Sequence, residues 1–167
     1  VFVPEENLLP GVEGLKGPLS CLSQARYGIG WGAIGCAMAV YEASMKYTKD
    51  RIQFDKSIAS FQLVQEKLVW MLNEITKGQL LAYHVGKNKD ANTVTPQQIS
   101  MLKRNNTWVA RECAKLAREL HGANGISGEY PIMRHLMNME SVYTYEGTFD
   151  MHTLILGQDI TGIPAFR

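Results

Sequence analysis

The sequence predicts an all-α fold: an antiparallel four-helix bundle with a short extra C-terminal helix, preceded by a short extended segment. Three observations carry this. Long stretches of the 167 residues repeat apolar side chains every three to four positions, the spacing of one helix face. Helix start and stop residues fall where those stripes begin and end. After residue 18 no stretch alternates apolar and polar residues as a half-buried strand would.

Residues 1–18 are rich in Pro and Gly, with Val1-Phe2-Val3 alternating as a strand end would. They are expected to be the extended tail of an upstream β domain, with residues 19–167 forming the helical domain. The first helix is expected from about Leu19 to Lys49, through Ala25, Ile29, Ala33, Cys36, Val40 and Ala43. Its Gly28, Gly32, Gly35 and Ala39 form a small-residue face expected to admit a close neighbour. A glycine costs a helix about 1 kcal/mol relative to Ala, so several in one helix need a packing reason. Residues 50–58 are a polar connector.

The second helix is expected from about Ser60 to Lys87, with Phe61, Val64, Leu68, Met71, Ile75, Ala82 and Val85 inward. The third opens with the best start signal in the chain. Thr95 can cap, Pro96 suits the first helical position, and Gln98 can close a capping box. Ile99, Leu102, Val109, Cys113, Leu116, Ala117 and Leu120 are its stripe, and Gly122 and Gly125 end it. Pro131 starts a fourth helix with Ile132, Leu136, Met139 and Val142 inward. Thr148 caps a last short helix from Asp150 to Thr161, closed by Gly162.

Composition excludes several function classes. Seventeen basic against sixteen acidic residues leave a net charge of +1, too little to attract nucleic acid or an anionic membrane. No apolar run reaches the length of a membrane span. Cys21, Cys36 and Cys113 form no Cys-x-x-Cys pair, which speaks against a zinc site and fits a reducing compartment, bacterial cytoplasm or mitochondrial matrix. His84, His121, His135 and His152 have no metal-ligand spacing and read as surface or capping residues; no metal is expected.

Residues 30–35 match Gly-x-Gly-x-x-Gly, but inside a helical pattern. A dinucleotide site needs a strand before the motif and a helix start at it, so the glycines are read as packing. Met133, Met137 and Met139 read as core filling. For Arg51-Ile52-Gln53-Phe54 the plain reading is a solvated loop with Phe54 tucked beneath it. The functional reading pairs Arg51 with a phosphate, which its planar fork suits. Tyr145-Glu146-Gly147-Thr148 stands where one helix breaks and another starts. Glu146 reads either as a solvated helix-terminal carboxylate or as a general base beside a Gly that admits a ligand. The residues alone leave both open.

Taken together these pieces resemble a known family. They are Val1-Phe2-Val3-Pro4 with Asn7 and Leu9, then Ala25-Arg26-Tyr27 in a glycine-rich helix. Arg51-x-Gln53-Phe54 follows, with Gln62 near the next helix start. Leu120-His121-Gly122-Ala123-Asn124-Gly125 and Tyr145-Glu146-Gly147-Thr148 complete the set. The chain resembles the C-terminal helical domain of acyl-CoA dehydrogenases. Ala25 to Ile29, Leu102-Lys103-Arg104-Asn105-Asn106 and Thr144 to Thr148 resemble the glutaryl-CoA branch most.

The resemblance implies an FAD enzyme that oxidises acyl-CoA thioesters between Cα and Cβ and passes electrons to an electron-transfer flavoprotein. It implies Glu146 as the catalytic base. Cofactor contacts would come from Arg51, Phe54, Gln62, Glu119, Leu120, His121, Gly122, Ala123 and Thr148, the first three toward the FAD of a neighbouring subunit in a homotetramer. Substrate contacts would come from Leu19, Ser20, Gln24, Arg26, Tyr145, Gly147 and Phe166. In the glutaryl branch decarboxylation to crotonyl-CoA follows oxidation. Two departures stand out: Asp55 replaces the usual Gly after Arg-x-Gln-Phe, and Gly122-Ala123 replaces a Gly-Gly pair. Without the family's other two domains this stretch is expected to be inactive alone. The alternatives are another short-chain acyl-CoA dehydrogenase, or a helical oligomerisation module in which Glu146 only caps.

Overall fold

In the computed structural model, which describes residues 1–165, five helices follow one another: α1 (Lys16–Asp50), α2 (Gln62–Asp90), α3 (Pro96–Leu120), α4 (Ile132–Thr144) and α5 (Phe149–Thr161). The helical bundle is as expected. Helix α3 is its centre and packs against α1, α2, α4 and α5. Its inner side buries Ile99, Leu102, Val109, Ala110, Cys113, Ala114 and Ala117. Ala33, Ile34, Ala37 and Val40 of α1, Met71 and Ile75 of α2, and Ile132 and Met139 of α4 close around Val109 to Ala117, while Ala82 and Val85 of α2 pack with Ile99 and Leu102. Each large side chain here, such as fully buried Met71, stabilises the fold by about 1.5–3 kcal/mol.

The starts and stops follow their local chemistry. The Thr95 hydroxyl accepts from the Gln98 N–H at 3.2 Å while Gln98 Oε1 accepts from the Thr95 N–H at 3.1 Å, the complete capping box. The Thr148 hydroxyl accepts from the Met151 N–H, and Gly162, at φ 71°, ends α5 in the left-handed conformation.

Four expectations are corrected. Val1 to Val3 form no strand and are exposed; a 3-10 turn at Glu5–Asn7 follows. The small-residue face of α1 points outward. Gly28, Gly32 and Gly35 have no neighbour within 4 Å of a would-be Cβ, whereas at Gly30 a Cβ would meet Leu102 Cγ at 2.6 Å. The connector is not irregular: β1 (Ile52–Gln53) pairs antiparallel with β2 (Lys56–Ser57), Ile52 opposite Ser57. Its two turn residues, Phe54 and Asp55, have φ of 53° and 61°, the left-handed pair that suits the twist of a two-residue hairpin. Of the methionines at 133, 137 and 139, only Met139 is buried; Met137 is exposed.

Candidate active site

The turn between α4 and α5 holds the site. Tyr145 leaves α4 in extended backbone, Glu146 has φ 53° and Gly147 φ 88°, and Thr148 starts α5. A positive φ is uncommon for a non-glycine residue and persists where the surroundings over-determine it. The surroundings here are two cations. Lys103 Nζ, fully buried on α3, donates to the carbonyl oxygens of Tyr145 at 2.8 Å and Gly147 at 2.7 Å. Arg26 Nε, from α1, donates to the carbonyl of Glu146 at 2.8 Å. Three successive carbonyls are thus held from one side by positive charge. At Gly147 a Cβ would lie 3.0 Å from His152 Nε2 and 3.3 Å from Arg26 Nη2, so a side chain there would be strained by its backbone conformation and would also crowd its neighbours.

These bonds leave the Glu146 side chain uncommitted. Its Oε2 is buried and has no hydrogen-bond partner. Beneath the turn His152 is fully buried with both ring nitrogens unpartnered. Burial first, then the neighbouring charges of Lys103 and Arg26, push its pKa down to about 4, so it is neutral. Burial and Arg26 lower Lys103 to about 8, against the opposing pull of Glu146.

A second constellation lies toward the other end of α3. A cleft of about 740 Å³ is lined by Tyr47, Arg51, Phe54, Phe61, Lys67 and the segment Glu119 to Asn124. Phe54 is not tucked under its loop but stands 86% exposed at the hairpin tip. Gln62 is exposed at the start of α2, between the lining residues Phe61 and Leu63. Glu119 pairs with Lys67 at 3.1 Å. His121 is buried, stacked on Tyr47 with ring centroids 4.3 Å apart, and donates from Nδ1 to the Ala117 carbonyl at 2.7 Å. Its Nε2 is left buried without a partner beside the cleft.

The structure therefore gathers Arg51, Phe54 and Glu119 to Ala123 in one place, and Arg26, Tyr145, Glu146, Gly147 and Thr148 in another. Leu19, Ser20 and Gln24 lie exposed on α1 up to two turns before Arg26, with Ser20 bonded to the Gly17 carbonyl and Gln24 to Lys89. Phe166 lies outside the described residues. Of the histidines, His152 departs from expectation as a core residue, whereas His121, though buried, caps the C-terminus of α3 and His84 is exposed. Among the described residues no cluster of His, Cys, Asp and Glu could hold a metal. Sequence reasoning missed Lys103 and His152 as site residues. Lys103 falls on the inner arc of α3 with Ile99, Asn106 and Ala110, and that phase was the available signal.

The model of the acyl-CoA dehydrogenase C-terminal domain matches residues 13–161, and the chain belongs to that family. It is 32% identical over 166 residues to a glutaryl-CoA dehydrogenase of Desulfococcus multivorans, covering 98% of this chain and 42% of that protein. A crystal structure of glutaryl-CoA dehydrogenase from Mycobacterium smegmatis superposes with a TM-score of 0.93 at 53% identity, over 95% of this chain and 41% of that one. A second structure of glutaryl-CoA dehydrogenase from that organism, in complex with FADH2, gives 0.93 at 50% identity with the same coverage. The chain thus spans about 42% of the length of the curated relative.

Proposed function

We propose that the chain is the C-terminal domain of an FAD-dependent acyl-CoA dehydrogenase acting on glutaryl-CoA, with Glu146 as the base. One observation carries the reading: a carboxylate oxygen, buried and unpartnered, on a turn whose three carbonyls are pinned by Lys103 and Arg26. The α proton of a thioester is weakly acidic, so its base has to be fixed in place and partly shielded from water. Glu146 takes the proton from Cα while the hydrogen on Cβ leaves as hydride, giving the enoyl thioester. FAD, when bound, is the hydride acceptor. With glutaryl-CoA the resulting glutaconyl-CoA then loses its distal carboxylate as carbon dioxide, and the dienolate left behind takes up a proton at Cγ to give crotonyl-CoA. The identity to the M. smegmatis enzyme supports this substrate over a short unbranched acyl chain.

The cleft fits the nucleotide part of FAD. Arg51 offers a planar fork for the diphosphate, Phe54 an exposed ring, and His121 an unpartnered ring nitrogen. Gln62, Glu119, Leu120, Gly122 and Ala123 complete that contact set, with Thr148 on the Glu146 side. Lys103 and Glu119 stand about 24 Å apart along α3, at 1.5 Å per residue. That separation fits an assembly, read here as a homotetramer, in which the cleft of one copy serves the FAD beside Glu146 of another. Leu19, Ser20, Gln24, Arg26 and Tyr145 would flank the acyl-CoA, and an electron-transfer flavoprotein would take the electrons.

The test is an anaerobic titration of the full-length enzyme with glutaryl-CoA. Bleaching of the flavin with crotonyl-CoA formed is expected, and Glu146→Gln should lower kcat by roughly a thousandfold with flavin retained. Bleaching without crotonyl-CoA would remove the decarboxylation, and a folded protein lacking flavin would sink the enzyme.

A further inference from the structure

Resting on that reading, we infer that Lys103 is a positioning residue of the reaction: its ammonium bridges the carbonyls of Tyr145 and Gly147 and so fixes the direction in which Glu146 points. The two acceptors flank Glu146 on either side, at 2.8 and 2.7 Å, so one donor spans the residue whose side chain does the chemistry. Glu146 sits at φ 53°, a conformation the turn would leave if released. Lys103 rises from the first half of α3, the helix every other long helix packs against, and is itself fully buried. The turn is therefore tied to the central helix of the bundle.

The residue is poorly suited to a merely structural place. Burying an ammonium is costly, and an aliphatic side chain of that size would serve a core better. Among the described residues Lys103 makes no carboxylate ion pair; its two hydrogen bonds both end on the turn. His152, packed below Gly147 and uncharged, adds no third cation to Lys103 and Arg26. Arg26 holds the intervening carbonyl, so loss of Lys103 alone would leave the turn in place but free to pivot about that one bond.

The experiment uses the flavin-loaded enzyme with Lys103→Met and Lys103→Gln, assayed with glutaryl-CoA and its α-dideuterated form. A pivoting base misplaces the carboxylate by a fraction of an ångström to an ångström, which can cost about a hundredfold. The expected result is a roughly hundredfold lower kcat per bound flavin for Lys103→Met, KM within about threefold, and a smaller loss for Lys103→Gln, which keeps a donor. The α-deuterium isotope effect should rise as proton removal becomes rate-limiting. A change in the folded fraction alone would not move it. Unchanged kcat per flavin and an unchanged isotope effect would overturn the proposal, as would failure of both variants to fold, which makes Lys103 a core element only. Wild-type turnover abolished by Glu146→Gln but kept by Lys103→Met removes Lys103 and spares the enzyme reading. Absence of turnover in the wild type removes both.

Discussion

Asp55 shows how one side chain can be at odds with its backbone. It occupies the second turn position of the β1–β2 hairpin at φ 61°, after Phe54 at 53°. Left-handed backbone costs an ordinary L residue about 1–2 kcal/mol, less for Asp, and glycine nothing. The hairpin forms all the same, because its two-residue ladder and the bond from the Ile58 N–H to the Arg51 carbonyl fix the connection length. Asp55→Gly is expected to stabilise the protein by about 0.5 kcal/mol, the relief of strain exceeding the added freedom of the unfolded chain. Asp55→Asn keeps the shape and removes the charge, so urea unfolding of both variants separates conformation from electrostatics. If Asn gives the same gain as Gly, strain is not the cause.

At the level of elements, the central crossing of α1, α2 and α3 depends on two glycines and an amide. Asn106, fully buried on α3, donates from Nδ2 to the carbonyls of Gly30 and Gly78, both at 3.1 Å. Gly30→Ala brings a Cβ against Leu102 Cγ and is expected to destabilise by about 1–2 kcal/mol in urea unfolding, despite the helix propensity gained. A neutral or stabilising result would show that the crossing has slack. This crossing was only half legible in the sequence. The spacing of residues 30–35 inside a helical run ruled out a dinucleotide loop, but it could not say which glycine faced in. Small residues ring α1, so hydrophobicity alone does not phase it. Helix ends were legible because caps are local: Thr95 with Gln98, Thr148, and Gly162 act within a few residues. The hairpin escaped because its ladder is two residues long, too short for any alternation to show. Lys103 escaped because a charged residue on a helix is ordinarily solvated, and its partners are carbonyls 42 and 44 residues away. Glu146 was visible only through the motif around it; its unpartnered oxygen is a product of the tertiary fold.

For the molecule as a whole, the buried cationic side of the turn sets how stability varies with pH. His152 is held neutral down to about pH 4, whereas in the unfolded chain it titrates near 6.5. Between those values the unfolded state binds a proton that the folded state does not. Stability therefore falls as pH drops from 6.5 toward 4 and this contribution levels off below that. His121 and His135 are shifted in the same direction, the first by burial and the second by burial and Arg134, and add to the slope. At 1.36 kcal/mol per pKa unit, His152 alone can account for at most about 3 kcal/mol. Carboxylates titrate in the lower part of the same window, so the wild-type curve by itself does not isolate the histidine. His152→Gln does: it keeps a polar side chain without a proton to take up above pH 4. Urea unfolding of both proteins from pH 4 to 7 should give curves that run parallel above pH 6.5 and diverge below it, with the wild type losing more. Curves that stay parallel throughout would mean that His152 finds a proton acceptor in the folded state. The Glu146 backbone, the one neighbour that favours the charged ring, would then be that acceptor, and the turn would be held by three cations in acid rather than two.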